Sequence, residues 1–348
     1  MTRVGLVGYG GAGRVFHAPL LQQAGLEIAA IATSSAERTA QAAQDVPSAR
    51  VVPDLDSLLG VGDLDLVVLA SPTGVHVEQA LHVVDAGVPV VVDKPLGVDA
   101  SSALSAVDAA SRAGVPLTVF QNRRYDPEFR TLAMVVADGL VGDVVRAELR
   151  WERWRPVPKD RWRENAPPEE GGGVLLDLFS HLVDQAQVLF GQIEAVYAEL
   201  LVHTGTVAED TAFLSCRHES GVVTHLGATS VAAAPGPWLR LLGRGGAYLV
   251  GGLEGEYTAF SEWQPADLQH LGWLVRDGER MPVPRVASDP ADFYRQVSTA
   301  LTAEDPQAAM PVDPRDAVRT LAVLDAARTS ASAFRVVDVV TPGVGPAR

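Results

Sequence analysis

A chain of 348 residues, 47% hydrophobic and 20% charged, is long enough for about two domains with real cores and is not an intrinsically disordered protein. Its 32 glycines and 23 prolines stay below the roughly 25–30% that marks a low-complexity chain, and a mean hydropathy of +0.12, with no apolar run near the ~20 residues of a bilayer crossing, excludes a membrane-spanning helix. The 28 basic and 43 acidic residues leave a net charge of −15 and a pI near 4.9, so most of the surface repels a phosphate backbone and nucleic acid is not an expected partner.

From the N-terminus, Met1 leads directly into Arg3-Val4-Gly5-Leu6-Val7-Gly8 without a basic and then apolar leader, which points to a cytoplasmic setting. Up to Phe120, short β-rich runs alternate with Ala-rich segments of helical period, the pattern of parallel strands joined by crossover helices. Strands are expected at 4–7, 26–32, 49–52, 64–70, 88–92 and 116–120, and helices at 36–45, 75–86 and 100–113. The last two helices stop at Gly87 and Gly114, where a helix C-terminus favours glycine.

Directly after the first strand stands Gly8-Tyr9-Gly10-Gly11-Ala12-Gly13, a G-x-G-x-x-G where a dinucleotide fold places it. The first glycine permits the tight turn, the second lets the backbone approach a pyrophosphate, and the third lets helix and strand pack closely, while the helix N-terminus offers free N–H groups. A purely structural glycine turn is the competing reading. At the end of the second strand, Thr33-Ser34-Ser35-Ala36-Glu37-Arg38 has no carboxylate for a ribose 2′-OH but has hydroxyls and an arginine suited to a 2′-phosphate, so NADP is expected ahead of NAD. The plainer alternative is that Ser34 or Ser35 caps the next helix and Arg38 is solvated.

Only two of the 28 basic residues are lysines, Lys94 and Lys159. Lys94 follows the fifth strand in Val92-Asp93-Lys94-Pro95, at the carboxyl edge where doubly wound folds bind ligands. A compact ammonium there can bond an alcohol or carbonyl oxygen, although a strand-end salt bridge would place a lysine equally well.

Past Phe120 the rhythm changes: a helix is expected at 126–138, then strands at 144–154, 193–202, 211–216, 222–226, 238–242 and 247–250 joined by tight turns, a final helix from Pro314 to about Ala331 and a strand at 334–340, before a tail expected to fray. Cys216 falls in an alternating apolar run and reads as a small core residue. The Arg- and Pro-rich stretch 153–173 shows neither period and reads as an ordered surface loop or lid. It runs into Gly171-Gly172-Gly173 and Asp177-Leu178-Phe179-Ser180-His181, where an α-helix would put Asp177 and His181 on one face. A carboxylate beside an imidazole fixes its tautomer and raises its basicity, as a general base for an alcohol proton requires. The pair could also be a satisfied buried hydrogen bond, or could join Asp184 as metal ligands; no cysteine or second histidine supports the latter and no metal is expected.

These pieces together resemble the Gfo/Idh/MocA oxidoreductase family over nearly the whole chain, and within it the scyllo-inositol 2-dehydrogenase (NADP) branch. The resemblance lies in Gly8-Tyr9-Gly10 with Gly13-Arg14-Val15-Phe16-His17-Ala18-Pro19, in Gln121-Asn122-Arg123-Arg124-Tyr125-Asp126 and in Arg161-Trp162-Arg163-Glu164. It implies an α/β chain, with a doubly wound Rossmann domain at 1–120 and an α+β substrate-binding and oligomerisation domain at 121–340 whose open sheet is mostly antiparallel. It also implies hydride transfer between NAD(P), NADP first, and a cyclic polyol or sugar-like alcohol or ketone, in a homodimer or homotetramer.

By the same resemblance Lys94, Asp177 and His181 form the catalytic set. Gly8, Gly10, Gly11, Ala12, Gly13, Thr33, Ser34, Arg38, Ser71, Thr73, His76, Asp93 and Lys94 meet the cofactor, and Asn122, Arg124, Trp162 and Arg163 face substrate. His76 packing its own helix and Trp162 anchoring a lid are the plainer alternatives. The chain departs from the family pattern at Asp93, where glutamate is usual, at Gln121, where histidine is common, and at Phe179, which replaces a small glycine. A non-catalytic dinucleotide-binding regulator, or a glycosidase using bound nicotinamide transiently, is the alternative function on this scaffold.

Overall fold

The computed structural model describes residues 1–343 apart from 161, 254 and 266, and the side chain of Arg163 is also outside the described set. Two compact units emerge: residues 1–122 with 289–318, and residues 123–288 with 319–348. A division at 120/121 alone therefore leaves out one feature: the segment 289–318 returns to the first unit.

In the first unit six parallel strands, β1 (Arg3–Val7), β2 (Glu27–Ala32), β3 (Arg50–Val52), β4 (Leu66–Leu69), β5 (Val90–Asp93) and β6 (Leu117–Phe120), lie in the order β3-β2-β1-β4-β5-β6. The strand order reverses between β1 and β4, which opens a crevice at their carboxyl ends, where ligands of such sheets bind. The strands are near-continuous Val/Ile/Leu/Ala because helices cover both faces, and Leu6, Ile31, Val67, Val68, Val91 and Leu117 are fully buried. The connecting helices are α1 (Ala18–Gln23), α2 (Ala36–Asp45), α3 (Leu55–Leu59), α4 (His76–Asp85) and α5 (Ala100–Ala113). Ser35, Asp54 and Asp99 cap α2, α3 and α5 by accepting from the backbone N–H three residues on, and Gly114 closes α5 in the left-handed conformation. The returning segment supplies α9 (Asp292–Ala300) and α10 (Pro306–Ala309); Gln307 hydrogen-bonds both backbone groups of Leu117, and Thr118 Oγ1 donates to the Val312 carbonyl. Side-chain bonds to an edge strand bring this distant sequence into the unit.

The second unit holds α6 (Pro127–Ala137), α7 (Trp162–Asn165), α8 (Ser180–Phe190) and a sheet of nine strands among the described residues. These are β7 (Val144–Glu152), β8 (Ile193–Leu201), β9 (Thr211–His218), β10 (Val223–Thr229), β11 (Leu239–Gly243), β12 (Gly246–Val250), β13 (His270–Arg276), β14 (Glu279–Pro284) and β15 (Val337–Asp338). Their order is β14-β13-β12-β11-β7-β10-β9-β8-β15, with β7 and β10 parallel and every other pairing antiparallel. Helix α11 (Pro314–Ala333) is divided between the units after Val318. Buried residues alternate with half-buried or exposed ones along β9 and with half-buried ones along β10, and Cys216 is on the buried side.

Several boundaries differ from the sequence expectation. The strand expected at 334–340 shortens to Val337–Asp338, because Phe334 takes a left-handed backbone (φ +51°) that reverses the chain after α11. The hairpin of β13 and β14 was not anticipated, although its turn, Asp277-Gly278 with φ of +52° and +82°, is a strong local hairpin signal. The stretch 153–173 is not wholly irregular: it holds α7 and a short 3₁₀ turn at Pro168–Glu170.

Candidate active site

The glycine loop between β1 and α1 contains two kinds of glycine. Gly8 has φ +91° and a Cβ there would lie 2.6 Å from the Ala70 carbonyl oxygen, while a Cβ on Gly13 would lie 2.0 Å from the Gly8 oxygen, so the chain itself requires both. Gly10 and Gly11 are different. Nothing lies within 4 Å of a Cβ on Gly11, and a Cβ on Gly10 would meet only the Arg38 guanidinium, at 3.6–3.8 Å. Their missing side chains leave a cradle whose nearest neighbour among the described residues is the Arg38 guanidinium, open as a pyrophosphate needs. Arg38, exposed on α2, lies along this cradle. Thr33 is buried at the end of β2, Ser34 is exposed beside it, and Ser35 is the residue that caps α2. After half-buried Ala12 the chain forms a π-turn from Gly13 to His17, in which the guanidinium of exposed Arg14 is held by Asp45 at 2.7 Å.

At the carboxyl ends of β4 and β5, Ser71 Oγ donates to Gln79 at 2.6 Å and Thr73 is buried. His76 has both ring nitrogens 2.8 Å from backbone carbonyls, those of Pro95 and Ser71. Burial pushes its pKa down, against the pull of Asp93 and of the two carbonyls, and the ring ties the start of α4 to the strand end. Asp93 Oδ1 accepts the backbone N–H of Lys94 at 2.8 Å. Burial raises the Asp93 carboxyl, but His17, Lys94 and His76 outweigh it and hold the group below the usual carboxylate range. Lys94 itself is 9% exposed.

In the second unit a second π-turn, Leu175–Phe179, leads into α8. It starts where Gly173 (φ +90°) lets Glu209 approach: Glu209 Oε1 accepts the Leu175 N–H at 2.9 Å and its carbonyl accepts that of Val174. Asp177 is therefore on a π-turn and His181 on the α-helix after it, so α-helical spacing does not describe the pair. Asp177 is half-buried and lines a cavity with Trp151, Arg153, Arg155, Glu164, Thr204 and Thr206. His181 is 6% exposed, its ring 6.0 Å from that of Trp151.

Asp210 fixes the far wall of this cavity by accepting from the His203 and Thr204 backbones and the Thr204 and Thr211 hydroxyls. Burial raises the Asp210 carboxyl, but these bonds hold it below its usual range. The hydroxyl oxygens along the wall can accept from a ligand that is itself rich in hydroxyls.

The expected substrate residues are more scattered. Arg124 forms a two-bond fork with Asp184, at 2.8 and 2.6 Å, and the Asp184 side chain is only 3% exposed. Asn122 is half-buried on a 3₁₀ turn, Trp162 is 38% exposed on α7, and neither Arg161 nor the Arg163 side chain is among the described residues. Among the described residues no group of three or more His, Cys, Asp or Glu side chains could hold a metal.

Sequence reasoning missed Trp151, which lines the cavity with Asp177 and has the guanidiniums of Arg123 and Arg153 over its ring at 4.9 and 5.2 Å. Its position on β7 in Leu149-Arg150-Trp151 gave only a strand signal. His17 and Tyr294 were missed as well, since nothing local links them.

The first part of the chain, residues 2–121, matches the family model described as "Oxidoreductase family, NAD-binding Rossmann fold", and residues 129–249 match the "GFO/IDH/MocA C-terminal domain". Scyllo-inositol 2-dehydrogenase (NADP(+)) IolW of Bacillus subtilis (strain 168) is 29% identical over 96% of this chain and 95% of its own length. The uncharacterized oxidoreductase YdgJ of Escherichia coli (strain K12) is 34% identical over 79% of each. The solved structure of yvaA from Bacillus subtilis superposes with a TM-score of 0.85 at 27% identity, over 97% of this chain and 98% of that one.

Proposed function

The chain belongs to the Gfo/Idh/MocA family of NAD(P)-dependent oxidoreductases, and we propose that within it the protein is an NADP-dependent dehydrogenase or reductase of a cyclic polyol or sugar-like alcohol. The observation that carries the reading is the open cradle of Gly10 and Gly11 beside the Arg38 guanidinium, on a strand end without a carboxylate. A guanidinium suits a 2′-phosphate, and a carboxylate would have suited a 2′-hydroxyl. The NADP-dependent activity named for IolW supports the same choice.

When bound, NADP supplies the nicotinamide carbon that exchanges hydride with the alcohol. Gly8, Gly10, Gly11, Ala12 and Gly13 would hold its pyrophosphate, Thr33, Ser34 and Arg38 its ribose phosphate, and Ser71, Thr73, His76 and Asp93 would line the path toward Lys94. The Lys94 ammonium bonds the reacting oxygen, His181 takes or returns the hydroxyl proton at a ring nitrogen, and Asp177 orients substrate hydroxyls from the cavity wall. Asn122, Arg124, Trp162 and Arg163 would complete the substrate contacts, with Arg124 held in its fork by Asp184. The proposal includes a cytoplasmic setting and a homodimer or homotetramer joined through the half-exposed sheet face; a monomer by light scattering at micromolar concentration would remove the latter.

A panel of cyclic polyols and keto-sugars, followed by NADPH absorbance, tests the activity. Arg38→Ala is expected to weaken NADP about tenfold or more and leave NAD nearly unchanged. Lys94→Arg and His181→Ala are expected to lower kcat by about 10²–10⁴. Equal loss of both cofactors would remove the NADP assignment, and a product formed without net NADPH change would favour the glycosidase.

A further inference from the structure

Inside the first unit a line of buried polar groups leads to the backbone of Lys94. His17, at the end of the π-turn after the glycine loop, is fully buried, with Nδ1 2.5 Å from the Tyr294 hydroxyl and Nε2 3.7 Å from Asp93 Oδ1. Phe120 packs on the His17 ring at a centroid distance of 4.4 Å and stacks on Tyr294 at 5.6 Å. Tyr294 comes from α9, in the segment that returns to this unit from far along the chain. Burial and the nearby Asp93 charge keep its phenol neutral and able to donate to Nδ1, and the tautomer that accepts this bond carries its ring proton on Nε2, facing the carboxylate. At 3.7 Å that contact is electrostatic and longer than a full hydrogen bond. Asp93 Oδ1 then accepts the Lys94 N–H.

Buried polar groups cost desolvation, and apolar side chains of similar size would fill this space more cheaply. What the polar chain adds is direction: each member restricts the torsions of the next. We propose that His17 and Tyr294 are positioning residues for Lys94. Tyr294 sets the tautomer of His17, His17 steers the carboxylate of Asp93, and Asp93 fixes the main chain from which the Lys94 ammonium reaches the reacting oxygen. This rests on the reading of Lys94 given above.

Because Lys94 and Lys159 are the only lysines, the full chain labelled with ¹³C-lysine gives two side-chain Cε signals, assigned by Lys94→Arg, with Lys159 as an internal control. In the cofactor-free protein Tyr294→Phe, which removes a single hydroxyl, and His17→Gln are expected to shift or broaden the Lys94 signal and leave that of Lys159 in place. In turnover Tyr294→Phe should lower kcat about tenfold with both KM values within about twofold, since misplacement by about 1 Å can cost up to about 10²-fold. His17→Leu combined with Lys94→Ala should be no slower than Lys94→Ala alone, because the two act through one group.

An unmoved Lys94 signal in Tyr294→Phe overturns the proposal, and so do losses that multiply in the double variant. If His17→Leu does not fold, the Tyr294→Phe signal and kcat decide. A Lys94→Ala variant of normal turnover would instead defeat the role given to Lys94, and the positioning role would fall with it.

Discussion

Gly13→Ala and Gly10→Ala change the same residue type three positions apart and should fail in different ways. At Gly13 the new Cβ would stand 2.0 Å from the Gly8 oxygen, where ordinary contact begins at 3.4 Å, so the loop and the helix after it must separate by more than an ångström. Overpacking of this kind costs about 3 kcal/mol, and at about 2–4 °C per kcal/mol the melting temperature should fall by roughly 6–12 °C. At Gly10 the Cβ meets only the end of the Arg38 side chain at 3.6 Å, so stability should stay within about 0.5 kcal/mol of the parent. That methyl nevertheless occupies the cradle, and NADPH should bind at least about tenfold more weakly, a loss of about 1.4 kcal/mol. Thermal unfolding and NADPH fluorescence titration on the same preparations measure both quantities. Unaltered NADPH affinity in Gly10→Ala, or equal melting temperatures for the two variants, would refute the division of the glycines into structural and ligand-facing ones.

Three further outcomes are expected. Asp184→Ala leaves the Arg124 fork without its buried carboxylate and should cost about 3 kcal/mol, read from the urea midpoint; a loss below about 1 kcal/mol would mean that the pair is effectively solvated. Asp93 and Asp210 have folded-state pKa values below their unfolded ones, so the stability they contribute is present above about pH 4 and is lost as pH falls through the lower folded values. Asp210→Asn should flatten that acid limb, and an unchanged limb would count against the assignment. Burial pushes the Cys216 thiol up to about 12, so Ellman's reagent at pH 8 should label it only on unfolding; rapid labelling of the native chain would contradict its core position.

Much of the fold is legible in the sequence because its signals are local. The period of apolar residues places α2 and α5 at their observed limits, Gly114 closes α5 where a helix end favours glycine, and G-x-G-x-x-G after a strand marks the loop. The single lysine at the end of β5 is likewise a matter of position along the chain. The tertiary structure decides which distant residues meet. That Arg38 lies along Gly10, that Arg124 is engaged by Asp184, that Trp151 stands beside His181 and that Tyr294 reaches His17 all depend on strand order and on the return of 289–318 to the first unit. Periodicity records which face of an element is buried. It carries no record of the partner across that face, because many sheet orders bury the same apolar stripe equally well, and side-chain contacts across long sequence separations select among them.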